Sequence, residues 1–376
     1  MSEQPIEVVV FGDPHLSGET IWQHKTALKI IEWVESLTWI TKSTDVIILG
    51  DLMDKYAGSP QTTELVTRFI RAFSRRAKHV HILVGNHDIS KKDELLEDKT
   101  QYVAYRYLEV LVDNLTMYEY PETFSVGSLQ CVAIPYYDAP VFSLVELNDF
   151  SKGYPLCKYG IDVKREYDLV IAHHFLRKGA DKSRIPIEVS VDVEAQFEKV
   201  PRKVLSGHIH TTHSNPEQYT GSLYPLKIDE VSMRYYWTYS NGSWQRKALD
   251  VFCELLTVSY GEPLPAPRFS DSLPVYTVTQ CPSEFAARCL YPNAIIRKTV
   301  SAWEGIRKHA DFSNDSSISA GVAELVSKET VLDLFEEAVL TEDSEWAKLD
   351  VSIDTLKEAL SIIRDAVKEP NYAEAK

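Results

Sequence analysis

The chain has 376 residues, of which 44% are hydrophobic and 25% are charged. These values are typical of a globular protein and suggest two or three domains with at least one large core. The net charge of −15 argues against a basic protein that coats nucleic acid, and no apolar run approaches the roughly 20 residues of a membrane helix. The five cysteines form no C-x-x-C pair and the N-terminus resembles no secretory signal, so we expect a cytoplasmic protein.

The first 250 residues or so alternate short apolar runs with segments of helical period, which is typical of βα units. Strands are predicted at 6–11, 45–49, 80–84, 129–134, 168–172 and 203–205, helices at about 23–40 and 61–76, and a hairpin at 235–251. The Asn241-Gly242 pair of the hairpin supplies the positive φ angles of a tight turn. The sequence therefore predicts an α/β domain that ends near residue 255.

The composition changes after Tyr260, where three prolines predict a stiff connector before a β/α segment at about 273–308. Beyond a polar stretch at 311–319, helices are predicted from Thr330 and over 351–368. The second helix carries apolar residues at intervals of three and four: Ile353, Leu356, Leu360, Ile363 and Val367. Such a seam must be covered, either by a partner or by packing within the chain.

Five clusters of histidine and carboxylate residues each follow a predicted strand. They are Asp13-Pro14-His15, Gly50-Asp51-Leu52-Met53-Asp54, Gly85-Asn86-His87-Asp88, His173-His174 and Gly207-His208-Ile209-His210. Alone, such clusters have ordinary explanations: a turn or helix cap for Asp-x-His, a turn for Gly-Asp, a loop for Asn-His-Asp and an exposed β pair for His-x-His. The carboxyl ends of strands in an open α/β sheet, however, meet at one edge, so all five clusters together predict one site. Carboxylate, amide and imidazole groups without thiolate favour a pair of first-row divalent ions over structural zinc or calcium.

The order D-x-H, G-D-x-x-D, G-N-H-D, strand-end His and G-H-x-H resembles the calcineurin-like metallophosphoesterases, over residues 7 to about 255. The segment from Tyr219-Thr220-Gly221-Ser222 to Asp229-Glu230 resembles one found in SbcD-type nuclease subunits of DNA break repair. The resemblance implies an α/β (α+β) fold with a two-sheet β-sandwich flanked by helices in residues 1–255. It further implies a small α/β capping domain at 256–310 and a C-terminal helical partner-binding segment at 320–368.

The resemblance also implies a role for each matching residue. One ion would be bound by Asp13, His15, Asp51 and His210, and the other by Asp51, Asn86, His173 and His208. His87 would protonate the leaving oxygen or stabilise charge, and Asp54 would orient His87. His173 is preferred to His174 as the ligand because it directly follows the apolar strand. The expected cofactors are two divalent ions, Mn²⁺ first, with Mg²⁺ or Fe²⁺ as alternatives.

The implied function is a two-metal DNA exonuclease and endonuclease, the nuclease subunit of an SbcCD-like complex from a cell or a phage. The expected partners are DNA, an SbcC-type coiled-coil ATPase and a second copy of the nuclease subunit, with no membrane. Four basic residues would contact the DNA backbone, or else form an ordinary solvated loop: Arg177, Lys178, Lys182 and Arg184. The alternatives are a small-substrate phosphatase or cyclic-nucleotide phosphodiesterase of the same fold, and a non-catalytic scaffold.

Overall fold

The computed structural model describes residues 5–56, 58–89, 103–136, 156–176, 193–211, 215, 217–227, 230, 234–281 and 283–300. The chain divides into two compact units, residues 1–301 and 302–376, and the described residues all belong to the first. The predicted C-terminal helices and their apolar seam lie outside the described residues.

The described residues contain thirteen strands and four α-helices. The strands β1–β13 are, in order, Val8–Phe11, Asp45–Ile48, His79–Leu83, Leu115–Tyr118, Glu122–Val126, Leu129–Ile134, Leu169–Ala172, Val204–Ser206, Tyr235–Ser240, Ser243–Ala248, Cys253–Ser259, Leu273–Thr279 and Ile295–Val300. The helices α1–α4 are Ile21–Ser36, Pro60–Ser74, Leu108–Leu111 and Glu284–Leu290.

Two sheets pack face to face and form the central sandwich. The first has the strand order β10-β9-β1-β2-β3-β4, in which β1 to β4 are mutually parallel and β9 is antiparallel to both of its neighbours, β1 and β10. The second has the order β5-β6-β7-β8, with β6, β7 and β8 parallel. Val8 and Val10 of β1 share a buried cluster with Leu169 and Ile171 of β7, so this core lies between the sheets.

The helices α1 and α2 cover the outer face of the first sheet. Side chains alternate along a strand, so Val9 and Phe11 point away from the sandwich core and join a cluster with both helices. Thr20 caps α1 by accepting the amide of Gln23, and Ser59 caps α2, whose first residue is a proline. This packing fixes the loops that leave β1 and β2.

A third sheet has the order β11-β12-β13, with all strands parallel and α4 as the crossover between β12 and β13. Val258 and Val278 of this sheet form a separate buried cluster with Ala287 of α4. Val275 and Ile295 instead contact the cluster that includes α1, so the third sheet packs on the first helix.

The structure confirms the mixed α/β fold and the six strands predicted at 6–11, 45–49, 80–84, 129–134, 168–172 and 203–205, with ends that differ by at most two residues. Three strands were not predicted: β4, β5 and β11. β5 is largely exposed, so it lacks the apolar pattern that marks a buried strand. The predicted boundary at 255 falls inside β11, and the domain limits stay predictions.

Within the described residues, no helix combines the length and apolar character needed to cross a bilayer.

Candidate metal centre

Loops that follow β1, β2, β3, β7 and β8 meet at one edge of the sandwich and carry all five predicted clusters. Three of their residues have a left-handed backbone, with φ of 44° at His15, 47° at Asp51 and 73° at His208. Positive φ is uncommon for residues other than glycine and occurs often at functional sites, where the surrounding structure enforces it. The loops are therefore shaped to bring these side chains together.

The first ligand group consists of Asp13, His15, Asp51 and His210. Each of these residues offers one ligand atom, and the four atoms lie within 4.8 Å of one another. The Nε2 atoms of His15 and His210 are 3.0 Å apart, and Nε2 of His15 is 3.6 Å from Oδ2 of Asp51. This arrangement places two imidazoles and two carboxylates around a volume the size of one ion.

The second ligand group shares Asp51 with the first and adds His173 and His208. Oδ2 of Asp51 is 3.3 Å from Nε2 of His173. The side-chain oxygen of Asn86 lies 3.1 Å from Nε2 of His173 and 2.6 Å from Nδ1 of His208. The structure therefore brings together all seven predicted ligands in two groups joined by Asp51.

The buried carboxylates each keep one oxygen free of hydrogen bonds. The amide of His208 donates to Oδ2 of Asp13, and the amide of His87 donates to Oδ1 of Asp51, both at 2.8 Å. Oδ1 of Asp13 and Oδ2 of Asp51 are buried without a hydrogen-bond partner. Because an unsatisfied buried charge is costly, these oxygens fit a bound cation. The oxygen and nitrogen donors suit first-row divalent ions.

Burial and mutual attraction shift the pKa values of the ligands. Burial raises the pKa of Asp13 well above its usual value and lowers that of His15, and it lowers the pKa of His208 to about 2. Burial opposes the charged form of Asp51 as well, but the contact with His173 outweighs it and the pKa falls. For His173, burial lowers the pKa, whereas Asp51 and Asp13 more than reverse this effect and raise it to about 9. Without metal, a proton on His173 thus supplies part of the positive charge that a bound cation would supply.

His173 and His174 have different environments. Nδ1 of His173 donates to the carbonyl of Leu49 at 2.6 Å, which directs Nε2 toward the other ligands. Nε2 of His174 lies 2.9 Å from the carbonyl of Pro135, and its amide donates to Ser206. The structure therefore places His173, rather than His174, in the ligand group.

His87 contacts Asp54 through a different atom than expected. Nδ1 of His87 lies 2.5 Å from the main-chain carbonyl of Asp54, whereas the Asp54 carboxylate accepts from Gln23 at 3.0 Å and lies 3.9 Å from Nδ1 of His15. The carboxylate is thus part of a third cluster with His15 and His87. Residue spacing alone could not distinguish a main-chain contact from a side-chain contact.

Two acidic residues act around the ligands in ways that the sequence did not reveal. Asp88 accepts the amides of Gly85 and Met53, at 2.8 and 3.3 Å, and so joins the loops after β3 and β2. Oε1 of Glu230 lies 3.2 Å from Nδ1 of His210. The only sequence signal for Glu230 was its place at the end of the segment that begins at Tyr219. The four predicted DNA contacts at 177, 178, 182 and 184 lie outside the described residues.

Fold and site together define a metal-dependent phosphoesterase, a hydrolase. The calcineurin-like phosphoesterase family matches residues 6–212, more than half of the chain. The chain belongs to that family.

Comparison with solved structures gives distant matches. The phosphopantetheinyl hydrolase PptH from Mycobacterium tuberculosis is 14% identical, with 65% of this chain and 89% of that chain covered and a TM-score of 0.30. A protein of unknown function from Aquifex aeolicus, AQ665, is 15% identical, with 47% and 86% covered and a TM-score of 0.24. No curated protein matches the chain. These similarities carry no information on the substrate.

Binding of Mn²⁺ is expected to release protons at about pH 7.5. The pKa of His173 is raised from 6.5 to about 9, so the metal-free side chain is protonated there, and a cation must displace at least one proton. The apparent affinity should therefore rise with pH up to about 9. Titration calorimetry in buffers of different ionisation enthalpy measures the protons released, and a binding enthalpy independent of the buffer would contradict this expectation.

Gly85→Ala is expected to abolish high-affinity binding of both ions. A Cβ at Gly85 would lie 2.2 Å from Oδ1 and 2.3 Å from the amide nitrogen of Asp51, so the shared ligand must move. Overpacking of this kind costs about 1–3 kcal/mol of stability. The control is Gly160→Ala, which has open space around it but a φ of 74°, and should lower the melting temperature without changing metal affinity. Wild-type affinity for two ions in Gly85→Ala would refute the role of this close approach.

Proposed function

We propose that this protein is a two-metal phosphodiesterase that acts on DNA, the nuclease subunit of an SbcCD-like complex. The family supplies the reaction class, phosphoester hydrolysis. The choice of DNA rests on the segment that begins at Tyr219, because it is this segment that resembles SbcD-type subunits. The contacts of this segment with the ligand loops support the proposal.

The segment packs directly beneath the ligand loops. The amide of Ser222 donates to the carbonyl of His210 at 3.2 Å, and the amide of Leu223 donates to the carbonyl of Asp13 at 3.0 Å. The hydroxyl of Tyr224, fully buried, donates to the carbonyl of His15 at 2.6 Å. The segment thus contacts the main chain of three residues in the first ligand group. The segment that resembles SbcD-type subunits is therefore part of the site.

Two divalent ions bound by the seven ligands would provide Lewis-acid stabilisation of a phosphate and promote formation of a nucleophile from water. His87 is the residue of this chain proposed to protonate the leaving group or stabilise its charge. Its Nδ1–H donates to the carbonyl of Asp54, which fixes the ring and leaves Nε2 for the substrate. As the imidazolium, His87 can donate from Nε2 to the leaving oxygen or stabilise the charge that develops there.

The excess of acidic over basic residues in the chain favours a partner that contributes affinity for DNA. Because affinity for duplex depends on the number of neutralised phosphates, a subunit of net charge −15 would bind DNA weakly alone. Residues 301–376 carry 8 basic and 17 acidic side chains, so this segment is better suited to a protein partner than to DNA. We therefore propose an SbcC-type ATPase as the partner. We propose a homodimer as the assembly of the nuclease subunit.

The function is tested by Mn²⁺-dependent hydrolysis of linear duplex, short single strands and p-nitrophenyl phosphate by the purified protein, with and without an SbcC-type ATPase. DNA should be the preferred substrate, and chelation should abolish its cleavage. His87→Ala should retain the metal content but lose roughly 10²- to 10⁴-fold in turnover, as expected for loss of proton handling. His24→Ala, on α1, is the matched control and should be unchanged.

The phosphatase and scaffold alternatives each give a distinct result in this assay. Faster hydrolysis of p-nitrophenyl phosphate than of any DNA would assign the protein as a small-substrate phosphatase. Two bound ions with no hydrolysis of any ester would indicate a scaffold. Full turnover by His87→Ala would remove His87 from the reaction.

A further inference from the structure

The carboxylate of Glu230 lies behind the ligand His210, on the side of Nδ1. Glu230 is 6% exposed, and its Oε1 is 3.2 Å from Nδ1 of His210. A carboxylate oxygen accepts a hydrogen bond, so this contact requires a proton on Nδ1. In the neutral ring the lone pair is then on Nε2, the atom that faces Nε2 of His15 at 3.0 Å in the first ligand group.

Contacts on both the carboxylate and the main chain of Glu230 keep it in this position. The amide of Leu226 donates to Oε2 at 2.8 Å. Arg234 donates to the main-chain carbonyl of Glu230 at 3.1 Å and lies 3.7 Å from Oε2. Both Glu230 and Arg234 are largely buried, so this ion pair is little screened by solvent. The carboxylate is therefore preorganised before any ion binds.

The turn that carries Glu230 is also attached to the third sheet. Arg297 of β13 donates a hydrogen bond to the carbonyl of Leu226, the residue whose amide contacts Glu230. The Arg297 guanidinium lies 5.2 Å from the ring centre of Trp22 on α1, which helps to fix its direction. A continuous chain of contacts thus runs from β13 through Leu226 and Glu230 to His210.

We propose that Glu230 is a positioning residue that sets the tautomer and orientation of His210, and that Arg297 couples the third sheet to the first ligand group through Leu226. The proposal rests on the two-ion centre of the proposed function. A histidine ligand whose second nitrogen donates to a carboxylate is a better and better-oriented ligand, and loss of such a partner typically lowers metal affinity about 10- to 100-fold. Glu230 would therefore act on the ion bound by the first group and leave the second group unaffected.

The substitution Glu230→Gln tests this role with little change in shape. If the amide oxygen faces His210, the amide NH₂ meets the Leu226 N–H, and two donors oppose each other. If the NH₂ faces His210, Nδ1 must lose its proton and Nε2 must carry it, which blocks the ligand atom. We expect one of the two Mn²⁺ affinities to fall about 10- to 100-fold and the other to stay at the wild-type value.

Glu254→Gln is the matched control. Glu254 is also a buried glutamate, 5% exposed, and it accepts hydrogen bonds from Phe269 and Ser272, outside both ligand groups. Its loss should lower the melting temperature but leave both Mn²⁺ affinities unchanged. Arg297→Gln should weaken the same ion as Glu230→Gln, by a smaller factor. Unchanged affinities for both ions in Glu230→Gln would overturn the proposal.

A second readout needs neither metal nor activity. In full-length metal-free protein labelled with ¹⁵N-histidine, long-range ¹H–¹⁵N correlation spectra report which ring nitrogen of His210 carries a proton. We expect a protonated Nδ1 in the wild type and in Glu254→Gln. An unprotonated Nδ1 in the wild type would overturn the proposal even if Glu230→Gln failed to fold. A wild-type protein that bound no divalent ion would instead refute the two-ion centre, whatever the state of Nδ1.

Discussion

The structure depends on the close burial of two carboxylates at the ends of neighbouring strands. Asp13 and Asp51 are 0% and 1% exposed and belong to one group of ligand atoms within 4.8 Å. In the part of the chain that the structure describes, no lysine or arginine forms an ion pair with either of them, and only histidines do. Two adjacent negative charges in a dry site repel each other and lose hydration. They require positive charge, which either a proton or a cation can supply.

Much of the surrounding architecture serves to keep these carboxylates where they are. Main-chain amides hold one oxygen of each and leave the other free. Gly85 and Gly207 lack side chains where Asp51 and Asp13 come within 2.2 Å of the position that a Cβ would occupy. The helices α1 and α2 fix the first sheet from outside, and the sandwich core fixes it from inside. Stability of the fold and geometry of the site are therefore linked.

Prediction from the sequence succeeded where the chemistry was local. Buried parallel strands are continuous apolar runs, so their carboxyl ends, and the five clusters of candidate ligands that follow them, could be found from pattern alone. The role of each ligand from Asp13 to His210 came instead from the family resemblance and stays a prediction. Prediction failed for features that only the three-dimensional structure reveals. The exposed strand β5 has no apolar pattern. The contact of Asp54 with His87 uses a main-chain carbonyl, which residue spacing does not reveal. Glu230 contacts His210 only because the chain turns back after β8. The family relation fixes the reaction class, whereas the substrate depends on surfaces that the ligand set does not define.

The central claim is that Asp51 is shared by two divalent ions. It is tested most directly by anomalous diffraction from crystals of the full-length protein grown with Mn²⁺, with data collected near the manganese edge. The account predicts two anomalous peaks about 3.5–4 Å apart, one among Asp13, His15 and His210 and the other among Asn86, His173 and His208, with Asp51 between them. A single peak, or none within bonding distance of Asp51, would contradict it.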